Sequence, residues 1–144
     1  MLLYADTSVL ISYYVSDANS ARAQALIHGS SFPLLFTGLH RLELRNALAL
    51  AVFRRVITPN QARNAWTDIQ RDCRARRYAM TPVKWVPVLR HAAQIAARHT
   101  HTIGSRSLDV LHTAAASRLD TDEFWSFDAR QRTLATALGL TVRP

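Results

Sequence analysis

Cysteine is nearly absent. The single Cys73 excludes an internal disulfide and suits a reducing compartment. Glycine is scarce as well: four residues, none clustered, so the chain has no Gly-rich loop of the kind that cradles phosphates. Lysine is represented by Lys84 alone. No apolar run approaches the ~20 residues a membrane helix needs. The N-terminus carries no basic leader, and Asp6 interrupts its one apolar run, so a cytoplasmic protein without a signal peptide is expected. Internal repeats, low-complexity segments and linkers are also missing.

What is present fits one globular domain spanning 1–144. Of the 144 residues, 49% are hydrophobic, and a chain of this length buries about two-thirds of its unfolded surface. Eighteen basic residues face ten acidic ones, a net charge of +8, and all the basic residues but one are arginine. Arginine pairs bidentately with phosphate, so a nucleic-acid partner is open. A GC-rich genome would account for the choice of arginine, though not for the excess of positive charge.

Short apolar strands alternate with helices. Strands are expected at 2–5, 33–37, 78–81, in "EFWSF" (123–127) and in "LTVR" (140–143). Helices are expected at 8–15, 20–28 and 38–55, from Pro59 onward behind a Thr58 cap, at 83–99, from a Ser107 cap to Leu119, and from Asp128 to Leu138. The inward faces read as Leu39, Leu42, Leu50 and Phe53 in the third helix, Ala62, Trp66, Ile69 and Cys73 in the fourth, and Leu89, Ala92, Ala93 and Ala96 in the fifth. "HTHTIGSRS" reads as a loop. This alternation predicts an α/β fold with a mainly parallel sheet, and the helical hairpin across 38–77 is expected to protrude.

The ten acids fall into two groups. Asp17, Asp68, Asp72, Asp120, Asp122 and Glu123 have polar neighbours and read as solvated. Asp6, Glu43, Asp109 and Asp128 stand beside apolar residues, in "YADTS", "RLELR", "SLDVL" and "SFDAR". Each aspartate alone reads most simply as a helix cap, whereas Glu43 lies inside a helix and caps nothing. In a parallel α/β sheet, however, ligands bind beyond the carboxyl ends of the strands, where helices also begin. Carboxylates converging there would repel one another unless a cation joined them, and oxygen-only ligands select Mg²⁺ or Mn²⁺. The histidines show no zinc pattern.

These residues carry a resemblance. "YADTSVLISYY", "LELRNALAL", "SLDVLHTAAASRL" and "FWSFDARQRTLA" resemble, in order and spacing, the four signature blocks of PIN-domain ribonucleases, and most of all the VapC-type toxins of toxin–antitoxin modules. The resemblance implies a parallel sheet flanked by helices and an acidic pocket for one or two divalent ions. It also implies endonucleolytic cleavage of RNA, inhibition by a small antitoxin, and a homodimer. Asp6, Glu43, Asp109 and Asp128 match the acidic quartet, while Ser8 and Ser126 match hydroxyl residues that hold a carboxylate or a bound water. Asp6, Asp109 and Asp128 are the expected metal ligands; Glu43 ligates a second ion or orients the attacking water. His112 shares a helix face with Asp109 and reads most simply as a polar residue beneath the site. Arg71, Arg74, Arg76 and Arg77 read either as phosphate contacts or as favourable charges at a helix end. Trp66, Trp85 and Trp125 read as core.

Three rivals remain. A haloacid-dehalogenase-type phosphatase would need a second aspartate where Ser8 stands. A catalytically inactive PIN-like module would bind RNA or an antitoxin without cleaving. A DNA-directed nuclease is open, because nothing in the sequence reads a 2′-hydroxyl.

Overall fold

A computed structural model describes residues 1–144. Five strands, β1 (Leu3–Ala5), β2 (Leu34–Phe36), β3 (Tyr78–Met80), β4 (Glu123–Trp125) and β5 (Val142–Arg143), form one sheet in the order β3-β2-β1-β4-β5. Every neighbouring pair is parallel. Seven helices flank the sheet: α1 (Thr7–Tyr14), α2 (Ser20–Gly29), α3 (Gly38–Phe53), α4 (Pro59–Arg74), α5 (Trp85–Ile103), α6 (Ser107–Arg118) and α7 (Ala129–Ala137).

Strand alternation divides the core into two layers. Leu3, Ala5, Leu34, Phe36 and Trp125 point to one face, where Val9, Leu44, Leu48, Trp66 and Ile69 of α1, α3 and α4 cover them. Tyr4, Leu35 and Phe124 point to the other face, against Val88, Ala92, Val110, Ala114, Ala115 and Leu134 of α5, α6 and α7. The Ala114–Ala116 run of α6 is fully buried, and its small side chains let that helix lie close to its neighbours. After β1 the chain builds outward through β2 and β3, then returns to the opposite side of β1 for β4 and β5. The connectivity therefore reverses between β1 and β4. A crevice opens at such a reversal beyond the strand ends, and this is where ligands bind in open parallel sheets. Asp6 follows β1 directly, its N–H donating to the Trp125 carbonyl at 2.9 Å.

Several sequence expectations need correction. The stretch "HTHTI" is not a loop: α5 runs to Ile103, because nothing before Gly104 breaks it, and Gly104 closes it at φ 75° with its N–H on the Thr100 carbonyl. Arg106, not Ser107, occupies the cap of α6 in extended geometry, so Ser107 is the first helical residue. The inward face of α5 is Val88, Ala92 and Ile95, with Leu89 and Ala93 exposed. In α3 the buried face is Leu39, His40, Leu44 and Leu48. Leu42 and Phe53 are 65% and 83% exposed; eleven residues apart, about three helical turns, they line an outer apolar ridge that continues to exposed Val56 at the hairpin tip. The base of that α3–α4 hairpin is anchored in the core through Leu44, Leu48, Trp66 and Ile69.

Two acids read as solvated are buried. Asp72 accepts from the Tyr14 hydroxyl at 2.7 Å and faces Arg77. Glu123 accepts from Trp125 Nε1 and pairs with Arg143. Their polar sequence neighbours hid partners that arrive only through the fold. Trp66 and Trp125 are core, as expected, and Thr58 with Pro59 opens α4 through a capping box closed by Gln61.

Candidate active site

Asp6 is the first acid placed by the fold. It caps α1, its Oδ1 accepting the Val9 N–H at 3.1 Å, and only 2% of its surface is exposed. Ser8 Oγ donates to Oδ1 at 2.5 Å and Ser126 Oγ donates to Oδ2 at 2.6 Å. No basic side chain forms an ion pair with it. Burial pushes the Asp6 carboxyl up from its ordinary range, and the Ser126 and Ser8 hydrogen bonds, the attraction of His112 and the Val9 N–H only partly oppose this. A buried carboxylate held by hydroxyls and lacking a counterion is a costly arrangement with room for a cation to repay it.

Asp128 and Asp109 start two helices on the same edge. Asp128 caps α7 through Oδ1, accepting from Arg130 N and Gln131 N at 2.9 and 3.0 Å. Its own N–H donates to Ser126 Oγ, so one serine bridges Asp128 and Asp6. Asp109, in the first turn of α6, reaches back to accept from Arg106 N and Arg106 Nε at 3.2 and 3.1 Å. The same guanidinium stands 3.7 Å from Asp128 Oδ2. Arg106 thus lies across both carboxylates.

Glu43 arrives from α3 and meets the opposite helical layer. Its Oε2 accepts from Thr7 Oγ1 at 2.6 Å and is hydrogen-bonded to His112 Nε2. Burial would raise the Glu43 carboxyl, but the His112 and Thr7 interactions outweigh it and hold the group below its ordinary range. His112 Nε2 faces the carboxylate, and Nδ1 lies 2.8 Å from the Tyr4 hydroxyl. His112 is 2% exposed; it is a link between Glu43 and the Tyr4 core rather than a filler. Thr7, Tyr4 and His40 were not singled out from sequence. Thr7, adjacent to Asp6, offered a weak signal, while Tyr4 and His40 offered none beyond being polar atoms on apolar elements.

His40 stacks beside Tyr4 and His112, fully buried. Its Nε2 donates to the Ala5 carbonyl at 2.7 Å, and Nδ1 accepts from Thr37 N at 3.0 Å. The ring is therefore neutral, and burial, aided by His112, lowers its pKa to about 3. A depressed basic group stabilises the fold above its unfolded pKa of about 6.5, and that contribution is lost as pH falls. At pH 5 the loss is about 2 kcal/mol. In denaturant melts at pH 7.5 and pH 5, wild type should lose about that much more stability than His40→Gln, which keeps a donor for Ala5 and carries no titrating group. Equal losses in the two proteins would contradict the neutral buried assignment.

The fold brings Asp6, Asp109, Asp128 and Glu43 to one edge, with Ser8 and Ser126 on Asp6. It does not gather any three acidic, histidine or cysteine side chains at metal-ligand spacing. Arg106 spans Asp109 and Asp128, and Glu43 is bonded to His112. In donor type the set fits a hard divalent ion, since it supplies only carboxylate oxygens, one of them on a buried acid without a counterion. Of the basic cluster, Arg71 pairs with Asp68, and Arg77 with Asp72 and Tyr13.

Comparison with known proteins agrees with this architecture. Residues 3–137 match the family model described as PIN domain. No curated protein matches the sequence significantly. Among solved structures, the chain is similar to VapC20 of Mycobacterium tuberculosis, described as a sarcin–ricin loop cleaving toxin, with a TM-score of 0.70, 18% identity, and 99% of each chain covered. It is equally similar to FitAcB from Neisseria gonorrhoeae, with a TM-score of 0.70, 17% identity, and 99% of this chain and 97% of that one covered.

Proposed function

The chain belongs to the PIN-domain family, and we propose that it is a divalent-metal-dependent endoribonuclease acting as the toxin of a toxin–antitoxin pair, with residues 1–144 as one working unit. The observation that carries the reading is the placement of Asp6: a buried carboxylate without a counterion, at the topological reversal, linked by Ser126 to Asp128 on the same edge.

Asp6, Asp109 and Asp128 would hold Mg²⁺ or Mn²⁺, which when bound activates water and offsets the charge developing on a phosphodiester. Ser8 and Ser126 lock the rotamer of Asp6 by donating to opposite oxygens. Thr7 and His112 both bond Oε2 of Glu43, leaving Oε1 to accept a proton from, or orient, the attacking water. The net charge of +8 favours an RNA polyanion. A small antitoxin is the expected inhibitor. Its apolar anchors would sit against the Leu42, Leu50, Phe53 and Val56 ridge, and a basic side chain would approach the acidic edge. A homodimer is part of the same reading.

The test is cleavage of a mixed RNA pool, with a sarcin–ricin-loop RNA included as a structured probe, by purified protein in Mn²⁺ and in chelator. Fragments in Mn²⁺ that vanish in chelator are expected. Retention of RNA without fragments under both conditions would favour the inactive binding module instead.

A further inference from the structure

Arg106 is absorbed by none of the roles above. Its side chain is 69% exposed, yet the guanidinium is committed to two carboxylates from different helices, Asp109 at 3.1 Å and Asp128 at 3.7 Å. Its own backbone N–H also binds Asp109, so the residue is fastened at its root while its head can swing. Ion pairing with Asp109, and more weakly with Asp128 and Glu43, holds it firmly protonated. We propose that Arg106 is an exchangeable counter-ion of the acidic edge. Without metal it bridges Asp109 and Asp128 and offsets their repulsion; a divalent ion takes its place, and the released guanidinium then engages the substrate's phosphodiester.

Three features support the exchange. The two carboxylates it bridges are both proposed metal ligands, so the guanidinium and the ion compete for the same oxygens. A planar fork that pairs with carboxylate pairs equally well with phosphate. High exposure makes the swing inexpensive, because the freed charge returns to water and not to the core. This inference rests on the metal-site reading and adds a residue that the reading does not need.

The experiment measures Mn²⁺ affinity by calorimetry, and affinity for a short RNA with hydrolysis-resistant phosphorothioate linkages throughout by fluorescence anisotropy, in chelator and in saturating Mn²⁺. The proteins are wild type, Arg106→Ala, Arg106→Lys and, as a control for net charge, Arg130→Ala on the exposed first turn of α7. Arg106→Ala should bind Mn²⁺ about fivefold more tightly, the equivalent of an ion pair of this exposure, and Arg130→Ala should change it less than about twofold. Saturating Mn²⁺ should strengthen RNA binding of wild type more than that of Arg106→Ala, with Arg106→Lys between them. Unchanged or weaker Mn²⁺ binding by Arg106→Ala, or a gain matched by Arg130→Ala, overturns the exchange. Failure of wild type to bind Mn²⁺ at all would instead remove the metal-site reading on which it rests.

Discussion

Asp6→Asn should lower RNA cleavage by at least about a hundredfold, because losing a direct ligand costs more than the ten- to hundredfold typical of residues that merely orient one. The same substitution should relieve growth arrest caused by expressing the protein without its partner. The fold should survive. Asparagine caps a helix as well as aspartate does, so the Val9 N–H keeps its acceptor. Stability should even improve without metal. Burial raises the Asp6 carboxyl, so its contribution is present below the unfolded pKa of about 4 and is lost as pH rises through the folded value. At neutral pH Asp6 therefore weakens the wild-type fold relative to a side chain that does not titrate, and the variant should be unchanged or up to about 2 kcal/mol more stable. That advantage should shrink toward pH 4. Kinetics on a soluble, folded variant decide the matter, and cleavage at the wild-type rate would remove Asp6 from the site.

Mn²⁺ should raise the melting temperature of wild type, and Asp109→Asn should abolish that rise. An ion that binds only the native state at a hundred times its Kd adds about 2.7 kcal/mol, or roughly 8 °C for a chain of this size. In chelator the variant should differ little. Asp109 accepts from Arg106 N and Nε, so asparagine gives up part of a cap and one exposed ion pair, a loss of about 1 kcal/mol or less. The two carboxylates thus behave differently when the metal is absent. Arg106 already offsets the charge of Asp109, whereas no arginine or lysine pairs with Asp6 and the attraction of His112 does not outweigh its burial. Thermal melts of both proteins in chelator and in Mn²⁺ separate the possibilities. A wild-type melting temperature unmoved by Mn²⁺ would leave Asp109 as a helix cap alone.

The fold was legible because its signals are local. Apolar runs of strand length, Thr58 before Pro59, and Gly139 after the last helix each act through their own neighbours, and the structure places elements at all these points. Errors arose where two local signals were equally good. Leucines recur on more than one face of α3, and only the packed core selects Leu44 and Leu48 over Leu42 and Phe53. The four candidate acids could be named from sequence blocks, but their environment could not. His112 meets Glu43 because α3 and α6, on opposite layers, converge at one strand end. Ser126 reaches Asp6 across 120 positions of sequence. Arg106 reads as an ordinary charge before a helix until the fold sets α7 beside it and brings Asp128 within 3.7 Å.

The most direct measurement is the anomalous diffraction of crystals grown with Mn²⁺. A metal peak coordinated by Asp6, Asp109 and Asp128 oxygens at about 2.0–2.2 Å, with the Arg106 guanidinium moved off both carboxylates, is the predicted result. A peak elsewhere, or none at saturating Mn²⁺ with Arg106 still bridging Asp109 and Asp128, would contradict the metal site.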